Sequence, residues 1–298
     1  MAQVTKVNIR NLPEEEFFYG HKACPGCGGS LAVRLAMKVL GSRTLTAVPA
    51  NCMSAVSFYY PVMNFTNNGL AGTFPGTASI LTGIEAGAKS LGWEDCPVVG
   101  FAGDGGTADI GLQALSGAID RNDHIIYVCY DNEAYMNTGI QESSLTPYGM
   151  KTTTSPAGNN IHGCQTHKKN MFEIVAAHGI AYAATASVGY PQDFMNKIAK
   201  AKANPGTSYI HVMAPCPTGW GVPMNETISI AKKAVDAGLW YLAEYENGEF
   251  KLNRDPKTFI PVGDYLLKQS RFKHLDENDL KIIEAEREKV WKRIRTKW

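Results

Sequence analysis

The chain has 298 residues and a mass of 32.4 kDa, enough for one large α/β domain or two small ones, and its 44% hydrophobic content excludes a disordered or fibrous protein. Lys and Arg number 29 against 28 Asp and Glu, and no block of like charges occurs, so nucleic acid is not an expected partner. Charged residues make up only 19% of the chain, below the roughly 25% of an average soluble domain, which favours a subunit whose surface is partly covered.

Residues 1–10 contain no apolar stretch followed by small residues, which is the pattern of a secretory signal. Nowhere in the sequence is there a run of about 18 apolar residues, as a membrane-spanning helix would need. We therefore expect a cytoplasmic protein that does not enter a membrane.

Short β-rich runs alternate with helical segments along the chain. They predict strands over residues 44–48, 98–102, 125–130 and 209–214, and helices over 30–40, 78–90, 110–121, 171–178 and 192–203. Strands that alternate with helices form a mostly parallel sheet with helices on both faces, joined by right-handed crossovers. Residues 276–295 predict a charged amphipathic helix within a C-terminal arm over about 247–298.

Chemically distinctive residues follow directly after the predicted strands. Asn51 and Cys52 follow the first strand, Asp104 the second, Asn132 the third and Cys216 the fourth. Parallel α/β sheets bind ligands at the carboxyl ends of their strands, because loops and helix N-termini meet there. We therefore expect these residues to lie along one rim of the sheet.

The run Gly103-Asp104-Gly105 ends a strand and opens a helix, so main-chain N–H groups and the helix dipole would face an anion there. By itself this run also fits an ordinary strand-to-helix turn, and it lacks the third glycine of a dinucleotide-binding loop. Asn132, after the next strand, adds an amide oxygen beside the Asp104 carboxylate, and hard oxygen ligands of this kind suit Mg²⁺. The pair predicts a site that clamps a metal ion and a diphosphate.

Gly103-Asp104-Gly105 followed by Asp131-Asn132 resembles the signature of thiamine diphosphate enzymes, a Gly-Asp-Gly run with a later Asn. The resemblance implies thiamine diphosphate as cofactor and the thiamine diphosphate-binding fold of a diphosphate-binding domain. It also implies that Mg²⁺ is held by Asp104, Asn132 and the main-chain carbonyl of Ala134. Gly103 and Gly105 would then contact the cofactor.

Seven cysteines, an odd number, do not describe a disulfide framework in a chain of this length. Cys24 and Cys27 form a C-x-x-C loop that can present two thiolates to one metal, and Cys52 and Cys216 can supply two more. A structural zinc ion would suit the C-x-x-C loop, whereas an iron–sulfur cluster tolerates single ligands from distant loops. The residues by themselves leave both metals open.

Longer motifs connect these parts to one family. They are GHKACPGCG at 20–28, the segment around Cys52, DNEAYMNTGIQ at 131–141, TTTSPAG at 152–158 and CPTGW at 216–220. Together they resemble the beta subunits of pyruvate:ferredoxin oxidoreductases, in the 2-oxoacid:ferredoxin oxidoreductase family, over about residues 21–274. The resemblance implies a 4Fe-4S cluster on Cys24, Cys27, Cys52 and Cys216 beside the thiamine ring, with Asn137 and Thr138 in the loop that approaches thiamine and substrate.

The resemblance also implies an activity. This is the thiamine-dependent oxidative decarboxylation of pyruvate with coenzyme A to acetyl-CoA and CO₂, reversible in principle, with electrons leaving through the cluster to external ferredoxin. One alternative is the same chemistry on another 2-oxo acid: oxalate, 2-oxoglutarate, or a branched-chain or aryl acid. An alternative of another class is a zinc-stapled, non-catalytic binding subunit.

Two missing parts predict partner subunits. In the family, the glutamate that activates thiamine comes from a separate pyrimidine-binding domain, and this chain is too short to hold both domains, so an alpha subunit is expected. No C-x-x-C-x-x-C-x-x-x-C-P run is present, so a ferredoxin-like subunit is expected to carry further clusters. We expect residues 1–298 to form a single thiamine diphosphate-binding domain, with a cluster-binding segment at about 20–52, inside a hetero-oligomer.

Overall fold

A computed structural model describes residues 7–14, 20–159 and 161–297 of the chain. The expectation that residues 1–10 carry no secretory signal falls partly on residues 1–6, which lie outside the described residues. The helices are α1 Gly28–Leu40, α2 Cys52–Ser57, α3 Thr77–Ser90, α4 Asp104–Ala108, α5 Leu112–Arg121, α6 Met171–Ala177, α7 Pro191–Ala203, α8 Pro217–Trp220, α9 Thr227–Asp236, α10 Val262–Leu266 and α11 Glu277–Lys297. The strands are β1 Leu45–Pro49, β2 Phe58–Tyr59, β3 Val62–Met63, β4 Gly69–Gly72, β5 Val98–Gly103, β6 Ile126–Asp131, β7 Tyr182–Ser187, β8 Ser208–Met213, β9 Ala243–Glu246 and β10 Glu249–Leu252.

One sheet of eight strands, in the order β10-β9-β7-β8-β6-β5-β1-β4, runs through the molecule, and β2 and β3 form a separate hairpin. Every neighbouring pair from β7 to β4 is parallel, whereas β9 and β10 are antiparallel and cap one end of the sheet. The carboxyl ends of β8, β6, β5 and β1 therefore lie on the same edge. The predicted fold class, a mostly parallel sheet with helices on both faces, is confirmed.

Helices cover both faces of the sheet because its strands alternate their buried side chains between two apolar clusters. Phe101 of β5 and Val128 of β6 point into the cluster formed with α1 and α7, while Ala102 and Cys129 point into the cluster formed with α3, α5 and α6. Cys129 is fully buried, as expected for a small core residue. A third cluster, around Trp220, joins α8, α9, α10 and α11 beyond the carboxyl edge.

The predicted helix over 110–121 is α5, and the structure adds a short helix before it that was not predicted. The longer helix, α5, begins at Leu112, and a separate helix of 5 residues, α4, begins directly at Asp104. The chain turns between them at Asp109, whose φ of −101° and ψ of −92° are not helical. Asp104 is consequently the first residue of its own helix.

The C-terminal helix α11 packs on the body of the molecule. Trp291 is 1% exposed, and its indole Nε1 donates to the carbonyl oxygen of Gly238 at 2.7 Å. Ile283 belongs to the third apolar cluster. This helix is a packing element, and the division of the chain into segments stays a prediction. Among the described helices, none combines the length and the apolar character needed to cross a bilayer.

Candidate active site and cysteine centre

The predicted site residues lie at the carboxyl ends of four adjacent strands. Strands β8, β6, β5 and β1 are neighbours in this order, and Cys216, Asn132, Asp104 and Cys52 follow them closely in the chain. Neighbouring strands are about 4.8 Å apart, so the set spans roughly three strand spacings. The structure therefore brings both predicted centres to one rim of the sheet, hereafter the ligand rim.

Asp104 is held in place by the start of α4. Gly103 is the N-cap of this helix, and the hydroxyl of Thr107 donates to the Gly103 carbonyl oxygen at 2.8 Å. A Cβ on Gly105 would lie 2.2 Å from the Tyr135 ring, so only glycine allows the main chain to pack this closely. The Asp104 side chain is fixed at the ligand rim with only 2% of its surface exposed.

Three oxygen-bearing groups converge here: the Asp104 carboxylate, the Asn132 amide and the Ala134 main-chain carbonyl. One end of the Asn132 side-chain amide lies 2.9 Å from the carbonyl oxygen of Ala134 and 3.1 Å from Oδ1 of Asp104. With its NH₂ group at this end, the amide donates to both; with its oxygen there, three acceptors meet without a donor between them. A carboxylate, an amide oxygen and a main-chain carbonyl form the donor set that Mg²⁺ prefers. These residues therefore fit the predicted ion.

The electrostatics around Asp104 also favour a cation. Burial and the nearby Asp131 carboxylate raise the pKa of Asp104 well above its usual range, while a hydrogen bond from Ser143 opposes the rise. The Ser143 hydroxyl donates to Oδ2 of Asp104 at 2.5 Å, so this oxygen is occupied and Oδ1 faces Asn132. A divalent cation would offset the cost of burying the ionised carboxylate.

A buried network of charges supports the loop after β6 from behind. Nζ of Lys168 lies 2.7 Å from Oδ2 of Asp131 and 2.9 Å from Oε1 of Glu133. His211 Nε2 lies 2.8 Å from the same Asp131 oxygen, and the Arg271 guanidinium lies 2.6 Å from Oε2 of Glu133. Although burial works against ionisation, Lys168 and His211 hold the pKa of Asp131 below its usual value. The network fixes the main chain that carries Asn132.

A cavity of about 180 Å³ opens at the ligand rim, between the loops that carry Asn51, Asp104 and Ala134. Asn137 and Thr138 also line it, and both are exposed. The hydroxyl of Thr138 donates to Oε1 of Gln141 at 2.5 Å, which shapes this exposed loop. No glutamate of the described chain lines the cavity.

The C-x-x-C loop lies directly against the segment that carries Cys216. The N–H of Gly28 donates to the carbonyl oxygen of Pro215 at 3.0 Å, and the N–H of Cys27 donates to the Cys24 carbonyl oxygen at 3.0 Å. A Cβ on Gly28 would lie 2.7 Å from main-chain atoms of Ala214 and Pro215. Glycine at this position is what allows the two cysteine-bearing segments to approach each other.

Three of the four predicted cluster cysteines lie at helix N-termini. Cys27 is the N-cap of α1 and its sulfur accepts from the Ser30 N–H at 3.4 Å, while Cys216 is the N-cap of α8 and accepts from the Gly219 N–H at 3.3 Å. Cys52 is the first residue of α2. The partial positive charge of a helix N-terminus stabilises a thiolate, which is the form that binds metals.

The thiol of Cys52 is electrostatically coupled to the other cysteines. Burial, followed by the thiols of Cys216 and Cys27 and the Asp104 carboxylate, raises the pKa of Cys52 to about 12, with the Asn137 N–H opposing the rise. Several thiolates this close would repel one another unless a metal centre compensates their charge. These three cysteines therefore fit a shared metal centre, and Cys24 acts on the Cys216 thiol in the same way.

Among the described residues, the cysteine sulfurs are not gathered as tightly as a single zinc ion would hold them. Tetrahedral zinc with Zn–S bonds of about 2.3 Å holds its sulfur ligands about 3.8 Å apart. In the described part of the chain, no three ligand atoms that include a cysteine sulfur lie within 4.8 Å of one another. An iron–sulfur cluster places each thiolate on a different iron, so its thiolates stand farther apart.

We expect Gly28→Ala to separate the two cysteine-bearing segments. The added Cβ meets main-chain atoms of Ala214 and Pro215, which cannot rotate away, so stability should fall by about 1–3 kcal/mol. The control is Gly83→Ala, in the exposed middle of α3, where a Cβ meets nothing within 4 Å and should stabilise by about 0.5–1 kcal/mol. Thermal unfolding and iron content measure both effects; an unchanged Gly28→Ala variant would contradict the prediction.

Comparison with known proteins shows which class of protein has this fold. A family model of thiamine pyrophosphate enzymes, describing their C-terminal TPP binding domain, matches residues 50–212. A solved structure of 2-oxoglutarate:ferredoxin oxidoreductase from Magnetococcus marinus shares the fold, with a TM-score of 0.57 and 19% identity over 91% of this chain and 99% of that chain. The fold is thus that of the TPP-binding domain of thiamine enzymes.

Sequence identity to curated proteins identifies the family within this class. Pyruvate synthase subunit PorB of Methanothermobacter thermautotrophicus is 48% identical, covering 95% of this chain and 99% of that protein. Ketoisovalerate oxidoreductase subunit VorB of Pyrococcus abyssi is 46% identical, covering 95% of this chain and 93% of that protein. The chain belongs to the 2-oxoacid:ferredoxin oxidoreductase family, as a subunit of the PorB and VorB type, and the predicted family resemblance is confirmed.

Sequence reasoning missed several residues that shape the site. Ser143 contacts the Asp104 carboxylate, while Lys168, His211 and Arg271 contact the carboxylates of Asp131 or Glu133, yet none of the four lies in a recognisable local pattern. Trp220 lies in the CPTGW motif, and its indole Nε1 donates to the Asn132 carbonyl oxygen at 2.9 Å. A tryptophan beside a predicted metal ligand is the one signal in the sequence that could have pointed to this network.

Proposed function

We propose that this chain is the beta subunit of a pyruvate synthase. In this proposal the enzyme oxidatively decarboxylates pyruvate with coenzyme A to acetyl-CoA and CO₂, and the electrons leave through a 4Fe-4S cluster to ferredoxin. The observation that carries it is the ligand rim, where the Asp104, Asn132 and Ala134 oxygens and the cysteine-bearing segments follow adjacent strands. The identity to PorB over nearly the whole chain supports the choice of pyruvate.

On the thiamine side, Asp104, Asn132 and the Ala134 carbonyl would hold Mg²⁺, and the closely packed main chain at Gly103 and Gly105 would contact the diphosphate. Bound there, thiamine diphosphate supplies the electron sink that lets a 2-oxo acid lose CO₂. The buried network behind Asn132 keeps these oxygens in position. Asn137 and Thr138, exposed at the cavity mouth, would meet the substrate and the reactive ring.

On the redox side, Cys24, Cys27, Cys52 and Cys216 would bind the 4Fe-4S cluster. Their approach along the ligand rim and the N–H groups that point at two of the sulfurs support a shared metal centre, and single ligands from separate loops suit a cluster better than zinc. Cys24 is exposed, so it offers an electron exit toward the surface. A cluster beside thiamine would accept electrons singly, which a zinc ion cannot do.

Partner subunits complete the proposal. No glutamate from the described residues lines the cavity, which supports activation of thiamine by a pyrimidine-domain-bearing alpha subunit that closes over Asn137 and Thr138. A ferredoxin-like subunit would take electrons from the exposed side at Cys24. We place the complex in the cytoplasm, with coenzyme A and external ferredoxin as its other reactants.

The test is turnover of the purified anaerobic complex on a panel of 2-oxo acids. Pyruvate should give a kcat/KM at least about 10-fold above that of ketoisovalerate, since extra methyl groups in a fitted pocket each change discrimination by this order. Ketoisovalerate is the second candidate, because VorB is nearly as similar as PorB. A higher kcat/KM for ketoisovalerate would reassign the substrate, and absence of turnover on every 2-oxo acid would contradict the proposed reaction.

A further inference from the structure

Arg271 is a buried cation that contacts both the loop after β6, through Glu133, and helix α8 after Cys216, through Trp220. It belongs to the 3-10 helix Ser270–Phe272, and its side chain is only 2% exposed. The guanidinium carbon lies 3.7 Å from the centroid of the Trp220 ring, and Nε donates to Oε1 of Gln269 at 2.9 Å. These contacts hold the guanidinium in one orientation.

The position of Arg271 is fixed relative to Cys216. Helix α8 begins after Cys216 and ends at Trp220, and the Ser270 hydroxyl donates to the carbonyl oxygen of Gly221, the C-cap of this helix, at 3.0 Å. The indole of Trp220 is tied to the Asn132 carbonyl oxygen. A short rigid unit therefore joins the guanidinium, the predicted cluster ligand and the predicted Mg²⁺ loop.

Glu133 is the counter-charge of this cation. Its Oε2 lies 2.6 Å from the Arg271 guanidinium and its Oε1 lies 2.9 Å from Nζ of Lys168, and its side chain is 5% exposed. Charges screened by little water act over longer distances than surface charges. The pair lies near the cysteine centre, because Arg271 packs on Trp220, the last residue of the short helix that begins directly after Cys216.

We propose that the Arg271–Glu133 pair sets the reduction potential of the cluster, with Arg271 stabilising its reduced form and Glu133 limiting that effect. This inference rests on the proposed function, since it requires a cluster on Cys216. Reduction adds one electron, and therefore one negative charge, to the cluster. A fixed buried cation lowers the free energy of that state, and net charge near a cluster is a main determinant of its potential. Arg271 would act on the cluster through its charge, as a positioning residue that touches neither substrate nor cluster.

The test is a redox titration of the full-length chain, reconstituted anaerobically with iron and sulfide and followed by electron paramagnetic resonance. Arg271→Gln should shift the midpoint potential to more negative values, and Glu133→Gln should shift it to more positive values. Arg271→Lys retains the charge and should restore the potential toward that of the unaltered chain. If Arg271→Gln does not fold, the Glu133→Gln and Arg271→Lys variants carry the test.

The matched control is the pair Arg293 and Glu173, which forms a 3.0 Å contact at the surface, with the arginine side chain 42% exposed. Arg293→Gln and Glu173→Gln should leave the potential unchanged, because solvent screens their charges. Potentials that do not move, or that move in the same direction in Arg271→Gln and Glu133→Gln at full iron content, would overturn the inference alone. A reconstituted chain without iron would overturn the proposed cluster, and this inference with it.

Discussion

Cys24→Ala should remove the iron of the chain and abolish 2-oxo acid oxidation while leaving the fold intact. Cys24 is exposed and packs in no core cluster, so its loss creates no cavity. A cluster that loses one of its thiolates is labile, and iron should fall from about four atoms per chain to less than one. Iron and sulfide analysis, the visible spectrum and the thermal unfolding midpoint measure these effects.

The matched control is Cys96→Ala. Cys96 precedes β5 at the opposite edge of the sheet, where it lies 3.6 Å from the Arg43 guanidinium, so iron and activity should be retained. Colourless protein that holds one zinc ion and no iron before any substitution would instead support the zinc-stapled binding subunit. Retention of a full complement of iron by Cys24→Ala would remove that residue from the ligand set.

Asp104→Asn should weaken the binding of thiamine diphosphate with Mg²⁺ by more than about 100-fold. Substitutions one step outside a metal site typically cost about 10–100-fold, so loss of a direct carboxylate ligand should exceed that range. The stability of the cofactor-free chain should stay level or rise, because the substitution removes a buried charge whose pKa burial already raises. Opposite changes in binding and stability distinguish a ligand from a structural residue.

Two further variants provide an intermediate case and a control for Asp104→Asn. Ser143→Ala removes the hydroxyl that donates to Oδ2 of Asp104 and should weaken cofactor binding by about 10–100-fold. Asp120→Asn, on the exposed side of α5, should bind the cofactor normally. Calorimetric titration with thiamine diphosphate and Mg²⁺ measures all three, and normal binding by Asp104→Asn would contradict the assignment of the diphosphate site.

The strands that carry the site could be predicted because they are runs rich in β-branched and aromatic residues, buried along all or nearly all of their length. β6 has this character from Ile126 to Asp131. β7, with the sequence YAATAS, was out of reach, because alanine and serine have little β propensity and its extended state comes from pairing with β8 and β9. β4, with the sequence GLAG, is likewise a strand only through its pairing with β1.

The closeness of Asp104 and Asn132 was predictable from topology, since parallel neighbours end on the same edge. The charged residues that support the loop after β6 could not be predicted in this way. A single histidine such as His211, without metal-ligand spacing, indicates nothing more than a structural residue, and its contact with Asp131 exists only because β8 pairs with β6. Arg271 reaches Glu133 across 138 positions of sequence, a separation over which no local pattern extends.

The cysteine centre and the diphosphate site lie on one edge of the sheet, so both depend on the packing of the same strands. Cys52 and Cys216 follow the outer strands of the four, β1 and β8, and Asp104 and Asn132 follow the inner two, so the diphosphate loops sit between the cysteine loops. A substitution that disrupts the interior of the sheet, such as Phe101→Ala, would then lower both the iron content and the binding of thiamine diphosphate. A variant that loses only iron or only thiamine diphosphate must have its defect in a loop. Measuring both contents in one variant can therefore locate its structural defect.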